Sequence, residues 1–428
     1  MCPKLKNILP RMQTNRPLFS NQTYLSINFF MKKIILVALA LLVPATAVMA
    51  KKKKEEVKKD TVEFTVIKQN PITSVKDQHR SGTCWAYSSL GFLEAELLRM
   101  GKGEHDLCES FLVYNTYMDR ADKAIRTHGD ASFSQGGSFY DAIYCLKHYG
   151  IVPQDAMPFP GSLYGDSLFN FNQLDAVASA YVSAIAKGNL KKISPTWKSD
   201  LSNIYKNYFG ELPTTVVAGG KTYTPQQYAT DYLGLNPDDY VSLTSYTHHP
   251  FSTKFILEIQ DNWRWAESYN LPLDEFMEVC DAAVRGGYTF AWGADVSESY
   301  FSRDGVARVP ATLKDNDITG SDAARWTGSN AKNGAAIKTS NNEKTITQEL
   351  RQLGYDNWET TDDHGMVIYG LAKNKQGDEY FMVKNSWGDY GKYHGMFYAS
   401  KAYVAYKTMN ILIHKSAIPA HIAKKLGL

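Results

Sequence analysis

The amino-acid sequence predicts an α+β fold in which a helical half comes first and a β-rich half follows. After position 84, apolar residues repeat at the spacing of one helix face: Ala86, Leu90, Leu93 and Leu97. Near the other end, the apolar, β-prone runs 365–371 and 380–384 are separated by a short polar turn, which predicts a β-hairpin. A further buried strand is expected near 288–294, and a last strand over 408–414.

The beginning of the chain is expected to be removed from the mature protein. Residues 31–50 combine a basic start, the apolar run 34–43 and small residues before Ala50, which is typical of a secretory signal peptide. A membrane anchor is the alternative, but the apolar stretch is shorter than the roughly 20 residues that a span needs. Residues 1–30 have no evident role, so we expect translation to start at Met31. The prediction is a mature chain secreted across the inner membrane, periplasmic or extracellular, with no stable membrane insertion.

Composition narrows the function classes. The 428 residues are 44% hydrophobic and 21% charged, which is enough apolar material for a large core. Without residues 1–50 the chain has 41 basic and 44 acidic residues, so no net positive charge favours nucleic-acid binding. Three cysteines remain for structural roles, an odd number without metal-like spacing: Cys108, Cys145 and Cys280. No disulfide framework is therefore expected. No cofactor is expected.

A metal-binding site at His248-His249-Pro250 is also not favoured. Adjacent histidines point in different directions on a strand or helix, and no acidic or cysteine ligand pattern flanks this pair. No metal site is therefore expected.

The first candidate for chemistry is Cys84, in the segment 78–88. Turn-forming and capping residues at 81–83 place Cys84 at the N-terminus of the first helix, where free N–H groups and the helix dipole favour a thiolate. Gln78 could aim its amide N–H at the same point and form an oxyanion hole with the Cys84 backbone N–H. A lone cysteine is more often a buried structural residue, and the second half of the sequence decides between the two.

The predicted hairpin supplies that second half. His364 starts one strand and Asn385 ends the other, with a turn at 374–378. A hairpin brings its outer ends together, so the Asn385 carbonyl could fix the imidazole tautomer while the imidazole pairs with Cys84. Each residue alone has an ordinary structural explanation, but the four together do not.

Taken in this order, Gln-x5-Cys-Trp, a distant Asp-His and Asn-Ser-Trp-Gly resemble the papain family of cysteine peptidases. The resemblance implies a two-lobed fold, with a helical lobe, a β-barrel-like lobe and the active site in the cleft between them. It implies that Cys84 is the nucleophile, His364 the general acid and base, Asn385 its orienting partner and Gln78 part of the oxyanion hole. It also implies substrate-binding roles for Trp85, for Trp387, which shields the Asn–His hydrogen bond, and for Gly136 and Gly137, which pair with an extended substrate.

The long distance in sequence from Cys84 to His364, and the short segment before Gln78, resemble the bleomycin hydrolase or aminopeptidase C branch of that family. Within the peptidase domain 51–428, a large insertion of helices is expected over approximately 158–342, and there is no room for a long inhibitory prosegment. In that branch a C-terminal arm, here 415–428, lies in the cleft, and its carboxylate, here that of Leu428, meets the free amine of the substrate. A terminal helix docked on the surface is the alternative. The resemblance also implies a possible homo-hexamer.

Three functions remain open on the sequence. The first is an aminopeptidase that cleaves near the N-terminus of peptides, and the second is an endopeptidase with the same mechanism. The third is a binding protein on an inactive peptidase scaffold, which is disfavoured because such proteins usually lose the cysteine or histidine. Peptides are the expected partners in each case.

Overall fold

The computed structural model describes residues 62–157, 170–297, 300–302, 304–311 and 343–428. The predicted leader, including its signal peptide, and parts of the insertion lie outside these residues. No helix in the described ranges is long and apolar enough to cross a membrane.

The helical half is built around one buried helix. Helix α1 begins at Cys84, as predicted, and its residues 85–97 are all buried, including the four of the apolar repeat. It is buried on every side because other helices surround it and strand β10, defined below, also packs against it. Within the described residues, the helices of this half that are ten residues or longer are α1 (Cys84–Arg99), α2 (Glu109–Arg126), α3 (Phe139–His148), α4 (Asn172–Ala186) and α5 (Trp197–Phe209).

The other half is organised by one large sheet. In the part of the chain that the structure describes, eleven strands form it, in the order β5-β6-β4-β13-β7-β10-β11-β12-β9-β8, with β1 paired to β10, while β2 and β3 pair separately. The strands are β1 (Thr65–Gln69), β2 (Val216–Ala218), β3 (Lys221–Tyr223), β4 (Tyr240–Thr244), β5 (Lys254–Ile256), β6 (Glu267–Asn270), β7 (Phe290–Ala294), β8 (Phe301–Ser302), β9 (Val306–Ala307), β10 (His364–Lys373), β11 (Glu379–Lys384), β12 (Met396–Ser400) and β13 (Thr408–His414). Four more helices accompany it: α6 (Leu273–Arg285), α7 (Gln348–Asp356), α8 (Lys401–Lys407) and α9 (Ala420–Leu426).

The predicted hairpin is confirmed as β10 and β11, which are antiparallel with Val367 opposite Lys384. Strand β10 changes neighbours along its length. Its first residues, 364–368, pair with β7, and its last residues, 370–373, pair with β1. This places His364 opposite Ala294, at the end of the sheet where the central strand β10 begins.

The insertion is helical in part and also extends the sheet. It contributes α4, α5 and α6, as expected, but strand β4 pairs with β13 and continues the sheet outward to β6 and β5. The residues 240–244 are a short β-prone run whose bonding partner, β13, lies about 170 positions later in the chain. Such a long-range pairing has no spacing signature in the sequence.

Two large apolar clusters stabilise the two halves. One fills the space between the helices of the first half, and the other lies between the sheet and helices α6, α8 and α9. The four cysteines within the described residues are all free, and three of them, Cys108, Cys145 and Cys280, are buried among apolar side chains. No disulfide therefore joins these four.

Candidate active site

The candidate nucleophile lies at the first residue of helix α1. Cys84 is partly exposed, in contrast to the three buried cysteines. The first N–H groups of a helix have no acceptor within the helix, and the helix dipole is positive there, so a thiolate is favoured at this position. Ser81 and Thr83 join their hydroxyl groups at 2.6 Å and fix the turn that leads into the helix.

Gln78 is held with its amide group in one orientation. The Ser386 hydroxyl donates to Gln78 Oε1 at 2.7 Å, and Gln78 Nε2 donates to the Ser81 carbonyl at 2.8 Å. Because a carbonyl oxygen can only accept, the contact with Ser81 fixes which end of the amide carries the nitrogen, and Nε2 is on the side of the turn before Cys84. One of its two hydrogens is committed to Ser81, and the second can serve an oxyanion.

His364 and Asn385 are brought together as the hairpin predicts. His364 Nε2 lies 2.7 Å from Asn385 Oδ1, and both side chains are buried. The backbone N–H of Ser386 also donates to Asn385 Oδ1, at 2.8 Å, so this atom is an acceptor. The Asn385 oxygen can therefore only receive a proton from Nε2, which leaves His364 Nδ1 as the basic nitrogen.

The surroundings of the imidazole are apolar on one face. The Trp387 indole stacks on the His364 ring with centroids 4.5 Å apart and planes 28° apart. Burial lowers the pKa of His364 to about 4, while the hydrogen bond with Asn385 acts in the opposite direction. An imidazolium here therefore needs a nearby negative charge.

Packing between α1 and β10 places the two halves of the site side by side. A Cβ built on Gly365 would lie 2.6 Å from Ser88 Oγ and 3.3 Å from the Cys84 carbonyl oxygen. The Ser88 hydroxyl in turn donates to that carbonyl at 2.7 Å. The residue after His364 is thus in contact with the backbone of the nucleophile, and only glycine leaves room for this approach.

The glycine pair lies between an indole and a carboxylate. A Cβ on Gly137 would be 2.8 Å from the Trp85 ring, and one on Gly136 would be 2.0 Å from Asp261 Oδ2. Trp85 is buried and donates its Nε1–H to the Gln135 carbonyl at 3.0 Å. The sequence indicated the glycines and Trp85, but it gave no role to Asp261.

Of the C-terminal residues 415–428, those from Ala420 to Leu426 form helix α9, which is docked on the sheet half. Helix α9 buries Ile422 and Leu426 in the apolar cluster of the sheet half, and Lys425 pairs with Glu275 on α6. Leu428 lies on the rim of a cavity of about 310 Å³ that Ser138, the residue after Gly137, also lines.

A buried charge network lies behind Asn385. Lys384 Nζ donates to Thr73 Oγ1 at 2.8 Å, and Thr73 donates to Glu94 at 2.5 Å. Lys76 contacts Glu94 and Glu109 at 2.9 and 2.8 Å. Burial raises the pKa of Glu109 to about 7, against the lowering effect of Lys76. The network connects β11, the strand that precedes Asn385, to the helices of the first half.

The histidine pair does not point apart, and that expectation was wrong. His248 Nε2 and His249 Nε2 each lie 3.1 Å from an oxygen of Glu258, ten and nine residues further on. Gln352 accepts from the Thr247 N–H and presents Nε2 to His248 Nδ1 at 3.1 Å. With Nδ1 as an acceptor, His248 Nε2 bears the proton and donates to Glu258. His248, His249 and Glu258 thus form a hydrogen-bonded cluster, and their ligand atoms all lie within 4.8 Å of one another.

Sequence reasoning missed Asp261, Ser386 and Arg120, whose guanidinium donates to the Gly136 carbonyl. Ser386 lies inside the Asn-Ser-Trp motif, next to Asn385, and that position is the signal that could have identified it. Asp261 opens the Trp-rich run 261–273 of the insertion, but nothing in its spacing indicates that it reaches the glycine pair.

Comparison with known proteins gives the family of the chain. Residues 59–197 match the "Papain family cysteine protease" family, and residues 218–427 match the "Peptidase C1-like family". Aminopeptidase G of Lactobacillus delbrueckii subsp. lactis is 23% identical over 393 residues, covering 81% of this chain and 82% of the relative. Aminopeptidase C of Streptococcus thermophilus is 24% identical over 388 residues, covering 81% of each.

The fold has a solved counterpart. The crystal structure of PepW from Lactobacillus rhamnosis has a TM-score of 0.61 at 20% identity and covers 85% of this chain and 84% of its own. The architecture is therefore the papain-like α+β fold. The chain belongs to the papain-like cysteine peptidases, in the branch of the aminopeptidase C type.

Proposed function

We propose that the chain is a cysteine aminopeptidase in which Cys84, His364 and Asn385 act as the catalytic triad. The observation that carries this proposal is the His364–Asn385 pair at 2.7 Å, beside the backbone of a partly exposed cysteine at a helix N-terminus. The family membership makes the chain a cysteine peptidase, and the names of the relatives support the aminopeptidase specificity.

In the proposed reaction the Cys84 thiol gives its proton to His364 Nδ1. The thiolate attacks the peptide carbonyl carbon and forms a tetrahedral intermediate. The leaving amine takes the proton from His364, and a thioester remains on Cys84. Water then attacks the thioester and gives a proton to His364. The C–S bond breaks, the carboxylic acid product leaves, and His364 returns the proton to the Cys84 sulfur. Because burial lowers the pKa of His364, the imidazolium is stable only with the thiolate or the intermediate as its counter-charge.

Gln78 is proposed to stabilise the negative oxygen of the intermediate together with the Cys84 backbone N–H. Its amide is fixed by Ser81 and Ser386 before substrate binds, so no reorganisation is needed during the reaction. Trp387 covers one face of His364 and keeps water from the hydrogen bond to Asn385.

An aminopeptidase must also recognise a free α-amine, and a carboxylate is the natural partner for it. The family resemblance gives this role to the C-terminal carboxylate of Leu428. Leu428 lines a cavity that Ser138 also lines, and this supports Leu428 as a candidate for binding the amine.

The test compares an aminoacyl fluorogenic amide with its N-acetylated counterpart. We expect kcat/KM to be at least about 100-fold higher for the free amine, and activity to be abolished by a thiol-directed label on Cys84. Preference for the blocked substrate would make the protein an endopeptidase. Failure to cleave either substrate, with Cys84 unlabelled, would point to a binding protein.

The predicted leader belongs to the same proposal. We propose that residues 31–50 direct the enzyme out of the cytoplasm and are then removed. The proposed substrates are peptides. N-terminal sequencing of the exported protein should begin near Lys51, and a start within residues 1–30 would contradict this. A hexamer is the proposed assembly, and light scattering should then give about six times the mass of the chain.

A further inference from the structure

Gln135, the residue before the glycine pair, is bonded to residues on both sides of the candidate nucleophile. Its side-chain Oε1 accepts the backbone N–H of Gly82 at 2.8 Å, and its carbonyl oxygen accepts the Trp85 Nε1–H at 3.0 Å. Gly82 precedes Cys84 by two positions, and Trp85 follows it directly. The segment that ends in the glycine pair is therefore connected to the chain just before and just after Cys84.

We propose that Gln135 is a positioning residue that sets the distance between the glycine pair and Cys84. The family resemblance assigns the glycine pair to substrate binding, so the inference rests on the proposed function and adds a residue outside its triad. Gln135 acts through its two neighbours. Gly136, the next residue, is one of the proposed substrate-binding glycines, and Gly82 belongs to the turn before the nucleophile.

The glycine segment depends on side chains for its position. Residues 130–138 form neither a helix nor a strand, so no backbone ladder fixes them. On one side the buried guanidinium of Arg120, on α2, donates to the Ser132 carbonyl at 2.8 Å, to the Ser132 hydroxyl at 2.9 Å and to the Gly136 carbonyl. These bonds fix the segment relative to α2, and those of Gln135 fix it relative to α1.

The contact between the segment and the start of α1 is also close. A Cβ built on Gly82 would lie 2.9 Å from the Cβ of Gln135, and one on Gly137 would lie 2.8 Å from the Trp85 ring. Both approaches therefore need a glycine. The Tyr117 hydroxyl donates to the Gln135 carbonyl at 2.7 Å, so the oxygen that accepts from Trp85 is held by α2 as well.

The turn that Gln135 contacts also supports the proposed oxyanion hole. Gly82 follows Ser81, whose carbonyl accepts from Gln78 Nε2 at 2.8 Å. A substrate held at the glycine pair must present its carbonyl carbon to Cys84 and its carbonyl oxygen to Gln78 at the same time. A misplacement of about 1 Å can lower the rate of such a reaction about 100-fold. The bond from Gln135 to Gly82 should therefore affect kcat more than KM.

The experiment compares two substitutions that have nearly the length of glutamine. Gln135→Met removes the acceptor for the Gly82 N–H, so kcat for the aminoacyl amide should fall at least about 10-fold, with KM within about 3-fold. Gln135→Glu keeps an oxygen acceptor at this position, so both constants should stay within about 3-fold. Gln135 is partly exposed, which favours folding of both variants, and thermal melting checks this.

Two controls separate positioning from general damage to the site. Ser132→Ala removes one bond between Arg120 and the same segment but leaves the bonds of Gln135 in place, so kcat should stay within about 2-fold. Iodoacetamide reacts with Cys84 without using the glycine pair, so the alkylation rate should stay within about 2-fold in all three variants.

Several results would overturn the inference: full kcat in Gln135→Met, an equal loss in Gln135→Glu or in Ser132→Ala, or a change in KM alone. Slower alkylation of Cys84 in Gln135→Met would also overturn it, because Gln135 would then support the nucleophile itself. Each of these results leaves the proposed function standing. If the unaltered enzyme cleaves neither the free nor the N-blocked amide, the proposed function fails and the inference fails with it.

Discussion

The hairpin that carries His364 and the loop that carries Asp261 reach the same cleft by different means. The hairpin residues are held by regular ladders, with β10 bonded to β7, β11 and β1. The loop over 257–266 is held by side chains, chiefly Arg264, which binds Asp141 and Asp119 at 2.6 and 2.8 Å. Backbone ladders place the group proposed for chemistry, and side-chain contacts place the carboxylate that lies against Gly136. Substitutions in the two regions should therefore have different kinetic signatures.

Removing the imidazole should have the largest effect. His364→Ala takes away both the base that activates Cys84 and the acid for the leaving amine, so kcat should fall by about 10⁴-fold or more. Initial rates with the aminoacyl amide measure this, and circular dichroism checks the fold. A residual rate above about 1% of the original would contradict the proposed triad.

Gln78 should come next, because it is proposed to act only on the intermediate. Gln78→Ala is expected to lower kcat by about 10²- to 10³-fold with KM within about 3-fold. Ser386→Ala is the matched comparison, since it leaves the amide in place but removes the hydroxyl that orients it. Its effect should be several-fold and smaller than that of Gln78→Ala. An equal rise in KM and no change in kcat would assign Gln78 to substrate binding.

The same contrast explains what the sequence could predict. The start of α1 at Cys84, the strands around His364 and Asn385, and β13 all follow from local periodicity and turn residues, and the structure confirms them. The directions of His248 and His249 were wrong because the intervening turn folds both towards Glu258. The place of Asp261 depends on contacts with residues more than 100 positions away, and local pattern carries no record of these.

The buried imidazole should also affect stability in acid. In the Cys84→Ala variant no thiolate can form, so the folded-state pKa of His364 is about 4, below its ordinary 6.5. The folded protein then binds fewer protons than the unfolded chain between these values. The contribution of His364 to the free energy of unfolding is therefore fully present above pH 6.5 and is lost as the pH falls through 4. It amounts to about 3 kcal/mol.

A second variant isolates this contribution. Glu109, whose pKa is raised to about 7, acts in the opposite direction over part of the same range, so the raw pH dependence is a sum. Urea denaturation of Cys84→Ala and of Cys84→Ala with His364→Gln should be compared from pH 7 to pH 4. Subtracting the two curves should leave the 3 kcal/mol, and a difference that does not change with pH would contradict a buried neutral imidazole.

The smallest effect should come from loosening the loop while Asp261 itself is kept. Arg264 is mostly buried between Asp141 and Asp119, and its guanidinium lies 3.8 Å from the centre of the Tyr144 ring. Arg264→Met removes these bonds at a distance from Cys84, so Asp261 should be held less firmly over Gly136. We expect the ratio of kcat/KM for free and blocked substrates to fall by about 3- to 10-fold, while Cys84 alkylation is unchanged.

Arg285→Met is the control for this last substitution, because Arg285 also binds two acids but lies on the exposed face of α6. It should leave the substrate ratio unaltered, since exposed ion pairs contribute little and this one does not touch the loop. If Arg264→Met lowers activity on both substrates equally, the loop supports the whole cleft. If it changes only the ratio, the side chains that anchor the loop act on substrate selection at the glycine pair, and the ladders of the hairpin keep the catalytic pair intact without them.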